Sequence, residues 1–156
     1  MADLAQTMDQ LSQRMIVSGV ATSETIIGCT PGEVAELRAD HRVERLPEQY
    51  EQFLLAMGKQ SGRLLRGTDI FYPHNFRLDD DGRELLAEND VLHLLSGGSI
   101  IIGMHQGAEL YWLEPGEPEW ALNWYQEPDR TVHKRWPNLL EFLSALVNAI
   151  AQRSQH

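Results

Sequence analysis

Residues 99–113 read SIIIGMHQGAELYWL, and this stretch decides the fold. Residues 99–104 are rich in isoleucine, which is typical of a buried strand. Residues 105–108 have the composition of a hairpin turn, and residues 109–113 that of the returning strand. Large apolar side chains then recur at every second position, at Trp120, Leu122 and Trp124, which predicts a further strand. The stretch and its continuation therefore predict an antiparallel meander.

Helices are predicted on both sides of this meander. Apolar residues recur at helical spacing in residues 3–16 and 46–57. Thr30, followed by Pro31 and Glu33, predicts a helix start with a capping box. Residues 139–150 form a strongly apolar run that predicts a terminal helix.

The segment between these helices and the meander is predicted to contain a short strand followed by a helix. Residues 69–72 predict a short strand that Pro73 ends. Asp81 and Glu84 can cap a helix that contains Leu85 and Leu86. Helices that lead, strands that follow and a closing helix are typical of an α+β fold, with helices covering one face of the sheet.

The chain is predicted to be a single α+β domain with a twisted, mainly antiparallel sheet. Its 156 residues are enough to bury a core without a metal or disulfide. Residues 1–24 are interpreted as an N-terminal helical extension packed on residues 25–156. Cys29 is the single cysteine, so an intrachain disulfide is excluded. No signal peptide and no apolar run of about 20 residues is recognised, so we expect a cytoplasmic protein without membrane contact.

Negative charge is concentrated in one third of the chain. The formal net charge is −10, and residues 79–129 contain twelve acids against one base, Arg83, so they carry −11. A field of one sign repels nucleic acid and anionic membranes and attracts basic partners. The alternative is that the acids serve solubility alone.

Three stretches resemble motifs of a known family. Residues 46–54 read LPEQYEQFL, residues 104–107 read MHQG, and residues 139–143 read LLEFL. In order and spacing they resemble the L-P-x-x-Y-x-x-F-L helix, the H-Q-G hairpin and the closing apolar helix of the SUKH superfamily. That group contains the yeast SMI/KNR-type cell-wall regulator and many bacterial toxin-immunity proteins. The chain departs from the pattern at Ala108, where an aromatic residue is common, and at residues 136–138, which replace a serine.

The resemblance spans roughly residues 25–150 and implies a binding role without chemistry. In bacteria it implies an immunity protein that blocks a toxin, often a nuclease or a deaminase. An acidic surface matches such a basic partner, because opposite charge steers association. Adjacent Tyr111 and Trp112 point to opposite faces of a strand, so one of them is expected to be exposed as a binding anchor. The predicted partner-binding residues are Asp79, Asp80, Asp81, Glu84, Glu109, Tyr111, Trp112, Glu114, Glu117 and Glu119.

No catalytic residue, cofactor or metal site is predicted. His105 invites a catalytic interpretation, but no motif supplies it with a nucleophile or a carboxylate, and a hairpin histidine more often bonds the backbone. Cys29 has no nucleophile signature and is interpreted as a small buried apolar residue. The six histidines form no zinc motif, and Asp79–Asp81 lack the spacing of a calcium loop. The alternatives are a regulatory scaffold of the cell-wall-regulator kind and a small hydrolase that uses His105.

Overall fold

The computed structural model describes residues 4–153, with side chains from residue 7 onward. Within this range the α-helices are α1 (Leu4–Val17), α2 (Pro31–Asp40), α3 (Glu48–Met57), α4 (Leu78–Glu88) and α5 (Leu139–Arg153). The strands of the same range are β1 (Ile26–Ile27), β2 (Gln60–Ser61), β3 (Thr68–Asp69), β4 (Ile100–His105), β5 (Glu109–Glu114), β6 (Ala121–Gln126) and β7 (Lys134–Trp136). None of these helices combines the length and the apolar character needed to cross a membrane.

Strands β3 to β7 form one antiparallel sheet in chain order, and β1 pairs separately with β2. In the β4–β5 hairpin, His105 pairs with Glu109 and Ile100 pairs with Leu113. The hairpin predicted from residues 99–113 is therefore confirmed, with a turn one residue shorter because His105 belongs to β4. The prediction of an α+β fold with a mainly antiparallel sheet is confirmed.

The structure confirms the helix start predicted at Thr30 and the buried apolar stripe predicted for residues 46–57. Thr30 Oγ1 accepts a bond from the Glu33 backbone N–H at 3.2 Å, and Glu33 Oε1 accepts one from the Thr30 N–H at 2.8 Å. This reciprocal capping box starts α2. In α3, the predicted apolar stripe is buried at Tyr50, Phe53 and Met57.

Both faces of the large sheet are covered, so the prediction that helices cover one face is wrong. Tyr111 and Leu122 belong to a cluster that includes buried side chains of α1, α3 and α5. Trp112 packs instead in a second cluster with Leu85 and Leu86 of α4. The cause is that β4 and β5 carry apolar residues at consecutive positions, and successive side chains of a strand point to opposite faces.

Helix α1 belongs to the same core as the rest of the chain. Its residues Met8, Leu11 and Met15 are buried in the first cluster, beside the buried side chains of α3. The predicted helix at residues 3–16 corresponds to α1, although residue 3 and the side chain of Leu4 lie outside the described residues.

Two segments differ from their predicted bounds, and strands β1, β2 and β7 were not predicted. The strand expected at residues 69–72 is Thr68–Asp69, because the chain turns immediately after it. Helix α4 begins at Leu78 rather than near Asp81, which places three aspartates in its first turn, where the helix dipole favours negative charge. Strand β7 was not predicted because its Lys-Arg-Trp sequence lacks the alternation of apolar and polar residues that indicates a strand.

Candidate functional site

The outward side of α4 carries a row of carboxylates, here named the acidic face: Asp80, Asp81, Glu84 and Glu88. All four residues are exposed. Helix residues three and four apart are surface neighbours, with Cβ atoms about 5–6 Å apart, so the row runs along the helix without interruption. In the part of the chain that the structure describes, no Lys, Arg or His nitrogen lies within 4.0 Å of these carboxylates. The carboxylates of the acidic face therefore have no ion-pair partner among the described residues.

Helix α4 is held firmly against the sheet. Leu85 and Leu86 are buried in the second cluster. Gly82 allows a close approach, because a Cβ atom added there would lie 2.5 Å from Ile101 Cδ1. The acidic face is thus presented by a helix whose position the core determines, and little conformational entropy remains to be lost when it binds.

Asp79 serves the fold and does not belong to the exposed row. Its Oδ1 accepts a hydrogen bond from the Ile101 backbone N–H at 2.9 Å. Its Oδ2 lies 2.6 Å from His41 Nδ1, and the His41 side chain is fully buried. Asp79 therefore ties the start of α4 to β4 and to the end of α2. Its predicted role in partner binding does not fit this placement.

Glu109 is also engaged within the fold. Its Oε1 accepts hydrogen bonds from Trp124 Nε1 at 2.9 Å and from Gln126 Nε2 at 3.1 Å. Both donors lie on β6, which pairs with β5 along its whole length. This carboxylate therefore links the two strands at the end of the sheet that contains the hairpin turn.

The three glutamates around the β5–β6 loop differ from one another. Glu114 forms an ion pair with Arg135 of β7. Glu119 accepts a hydrogen bond from Asn138 Nδ2 at 2.7 Å. Glu117 is exposed, with no ion pair among the described residues. Only Glu117 of this group is therefore free to face a partner without losing an internal contact.

The predicted acids do not all share one surface. The Asp79–Ile101 bond brings the start of α4 to the beginning of β4, and a Cβ added at Gly98 would lie 3.3 Å from Pro115 Cγ. The start of α4 and the β5–β6 loop therefore occupy the same end of the sheet. Glu109 lies at the opposite end. The structure therefore brings only the Asp80 end of the acidic face near the loop that contains Glu117. The end of α4 lies toward the Glu109 end of the sheet, because Arg130 Nη1 bonds the Asn89 carbonyl and the β6–β7 loop follows Gln126, the strand partner of Glu109.

The expectation that Tyr111 or Trp112 is exposed is wrong. Trp112 is 0% exposed and Tyr111 is 8% exposed. They do point to opposite faces, but each face is covered by helices. Burial raises the pKa of the Tyr111 hydroxyl to about 12, with a smaller contribution from the negative charge of Glu109. Neither aromatic residue is available as a binding anchor.

An exposed apolar residue stands close to the acidic face instead. Leu92 is 43% exposed and follows the end of α4 by four residues. Protein interfaces combine an apolar centre with a polar rim, and an exposed leucine beside charged residues fits that arrangement. Its exposure was not predictable, because Leu92 lies in an apolar segment whose composition is typical of a buried core.

His105 has two polar neighbours that the sequence did not reveal. Its Nδ1 lies 2.9 Å from Thr68 Oγ1, and its Nε2 lies 4.0 Å from Glu109 Oε2. Thr68 is the cross-strand partner of His105 and is 9% exposed. The Thr68–His105 bond fastens the edge strand β3 to β4, which is the simplest account of the contact.

The remaining candidate for chemistry, Cys29, is buried and unreactive. Burial raises the pKa of its thiol to about 11, with a further contribution from Glu33. The nucleophilic thiolate is therefore scarce at neutral pH. Within residues 4–153, no three His, Cys, Asp or Glu side chains come together as a group that could hold a metal ion.

Comparisons with models of protein families, with curated proteins and with solved structures gave no match for this chain. The resemblance to the SUKH superfamily therefore stays a prediction. Function has to be inferred from the contacts, burial and charges described above.

Proposed function

We propose that this chain is a non-catalytic protein-binding domain that acts as an immunity protein. Its partner is a basic toxin of the nuclease or deaminase class, which it binds and neutralises. The observation that supports this proposal most strongly is the acidic face of α4, where four exposed carboxylates have no cationic partner among the described residues.

Electrostatics favours a cationic macromolecule as the partner. The chain carries a net charge of −10, and like-charged groups at i and i+4 of a helix destabilise it slightly. A basic surface that covers the acidic face removes this repulsion and is steered toward it from a distance. Leu92 supplies an apolar contact at the end of the same helix. The resemblance to the SUKH superfamily supports the choice of a toxin as that basic partner.

A cytoplasmic location belongs to the same proposal. An immunity protein of this kind protects the cell that makes the toxin, and nucleases and deaminases act on targets inside the cell. Cys29 is a free buried thiol, which suits a reducing compartment.

Affinity capture with two matched variants tests the proposal. Asp81→Lys/Glu84→Lys/Glu88→Lys reverses three charges of the acidic face. Asp9→Lys/Glu24→Lys/Glu44→Lys reverses three exposed acids elsewhere and changes the net charge by the same amount. From a lysate of the native host, the wild type and the second variant are expected to capture one basic protein whose toxicity the chain suppresses.

The outcome of that capture separates the possibilities. The first variant is expected to capture little of the same protein while keeping the thermal unfolding midpoint of the wild type within a few degrees. Capture of a non-toxic signalling or cell-wall protein would favour the regulatory scaffold. Equal capture by both variants would contradict a role for the acidic face.

A second candidate function, a small hydrolase, is favoured by the line of Thr68, His105 and Glu109. A hydroxyl, an imidazole and a carboxylate in sequence can form a nucleophile, a base and an orienting group. The 4.0 Å between His105 Nε2 and Glu109 Oε2 is longer than a hydrogen bond, however, and the other Glu109 oxygen is bound by β6. Turnover of p-nitrophenyl acetate that His105→Ala abolishes, with the fold intact, would establish the hydrolase and overturn the proposal above.

A further inference from the structure

A cleft of about 630 Å³ lies where the end of α2, the start of α4 and residues 98–100 meet. Its volume is within the range of about 300–1,000 Å³ that is typical of small-molecule sites. Three arginines line it: Arg42 follows α2, and Arg77 and Arg83 belong to the start and the first half of α4. This grouping was not predictable from the sequence, because the arginines are separated by up to 41 positions and each has the pattern of an ordinary surface residue.

The three guanidinium groups are not occupied by the protein. Within the described part of the chain, none of them lies within 4.0 Å of a carboxylate or forms a side-chain hydrogen bond. Elsewhere on the molecule, by contrast, Arg135 pairs with Glu114 and Arg14 bonds Asn148. The cleft is therefore lined by unused donors, each guanidinium offering up to five N–H groups.

Two of the three aspartates of the cleft are already engaged. Asp40 Oδ2 accepts a hydrogen bond from the Arg77 backbone N–H at 3.0 Å. Asp79 uses both carboxylate oxygens, one for the Ile101 N–H and one for His41. Only Asp80 remains free at the rim. The formal charges of the three aspartates and the three arginines that line the cleft balance. The polar groups of the cleft that have no partner within the described protein are nevertheless mainly hydrogen-bond donors.

The start of α4 adds to this donor character. Arg77 occupies the N-cap position, and within the described residues its side chain forms no capping hydrogen bond. An uncapped helix start presents N–H groups and the positive end of the dipole. The three aspartates of the first turn offset this dipole in part, so the main donors of the cleft are the three guanidinium groups.

A buried histidine forms part of the wall of the cleft. His41 lines the cleft, its side chain is 0% exposed, and its Nδ1 faces Asp79. Its Nε2 is buried with no hydrogen-bond partner among the described residues. This nitrogen has no solvent-accessible surface, so a molecule in the cleft does not reach it. His41 contributes to the cleft by holding Asp79 in place.

We propose that this cleft binds a small phosphate-bearing molecule, whose phosphate oxygens accept hydrogen bonds from Arg42, Arg77 and Arg83 at the start of α4. Arginine forks match phosphate geometry in pairs of parallel bonds. The acidic face begins at Asp80, directly beside the cleft, and repels a long polyanion. The source of the phosphate is therefore a small molecule and not a nucleic-acid backbone.

Titration of the full chain with sodium pyrophosphate, followed by calorimetry and by amide chemical shifts at constant ionic strength, tests the proposal. Saturable binding is expected, with shifts confined to the residues of the cleft. Arg83→Gln and Arg42→Gln are each expected to weaken binding about tenfold or more, because a charged hydrogen bond is lost. Arg66→Gln, an exposed arginine outside the cleft, is the control and should leave the affinity unchanged.

Each other outcome overturns the proposal. Absence of saturable pyrophosphate binding to the wild type, or equal weakening by Arg66→Gln, would contradict a built site. A short single-stranded DNA that binds more tightly than pyrophosphate, and loses affinity in the Arg42 and Arg83 variants, would replace the small molecule by a nucleic acid. Arg83 lies on the exposed side of α4, so its replacement leaves the fold intact and keeps the test decisive.

Discussion

Replacing Trp112 by alanine is expected to lower the free energy of unfolding by about 3–5 kcal/mol. The indole is fully buried between β5 and α4, and the second hydrophobic cluster loses its largest member when it is removed. The indole N–H has no partner among the described residues, so the cost comes from lost packing and the cavity. Urea unfolding followed by far-ultraviolet circular dichroism measures the change.

Trp120→Ala is the matched control for that measurement. Trp120 is only partly buried, beside the start of β6, so the same substitution should cost clearly less there. A loss under about 1 kcal/mol at Trp112, together with loss of partner binding, would contradict its place in the core. It would make Trp112 the exposed one of the two aromatic residues, Tyr111 and Trp112, between which the sequence left the choice open.

Replacing Asp79 by alanine is expected to cost about 2–3 kcal/mol of unfolding free energy. The substitution leaves the buried His41 Nδ1 and the Ile101 N–H without their acceptor. It also frees the start of α4 from β4. Asp79 is about one-fifth exposed, which keeps the expected value below that of a fully buried ion pair.

Asp80→Ala, one position further along, is the control for Asp79→Ala. Asp80 is exposed and has no ion-pair partner in the described range, so only its favourable interaction with the helix dipole is lost. Its expected cost is under about 1 kcal/mol. Equal costs for the two variants would show that the His41–Asp79 contact contributes nothing beyond a surface charge.

The core of the fold could be predicted from the sequence because its signals are local. The β4–β5 hairpin follows from the isoleucine-rich run of residues 99–104 and the turn composition of residues 105–108, and α2 follows from Thr30 and Glu33. The packing of α4 on the second face of the sheet could not be predicted in this way. Consecutive apolar residues in β5 are equally compatible with one exposed aromatic residue, and only the position of α4 decides that Trp112 is buried.

The candidate site was predictable only in part. Asp80, Asp81 and Glu84 were identified from charge density, which is a property of the sequence. The site prediction omitted Glu88, although it lies four residues after Glu84 on the same helix face. The engagement of Asp79 by His41, 38 positions away, has no local signal. The same is true of Glu114, whose charge is neutralised by Arg135 from a strand that the sequence did not indicate.

The affinity of the captured partner for the two triple-lysine variants tests the central claim most directly. At about 0.15 M ionic strength, Asp81→Lys/Glu84→Lys/Glu88→Lys is expected to bind at least about 100-fold more weakly than the wild type, because attraction becomes repulsion at three adjacent sites. Asp9→Lys/Glu24→Lys/Glu44→Lys should stay within a few-fold of the wild type. Equal affinities for the two variants would show that total charge, and not the acidic face of α4, governs recognition, and would contradict the account.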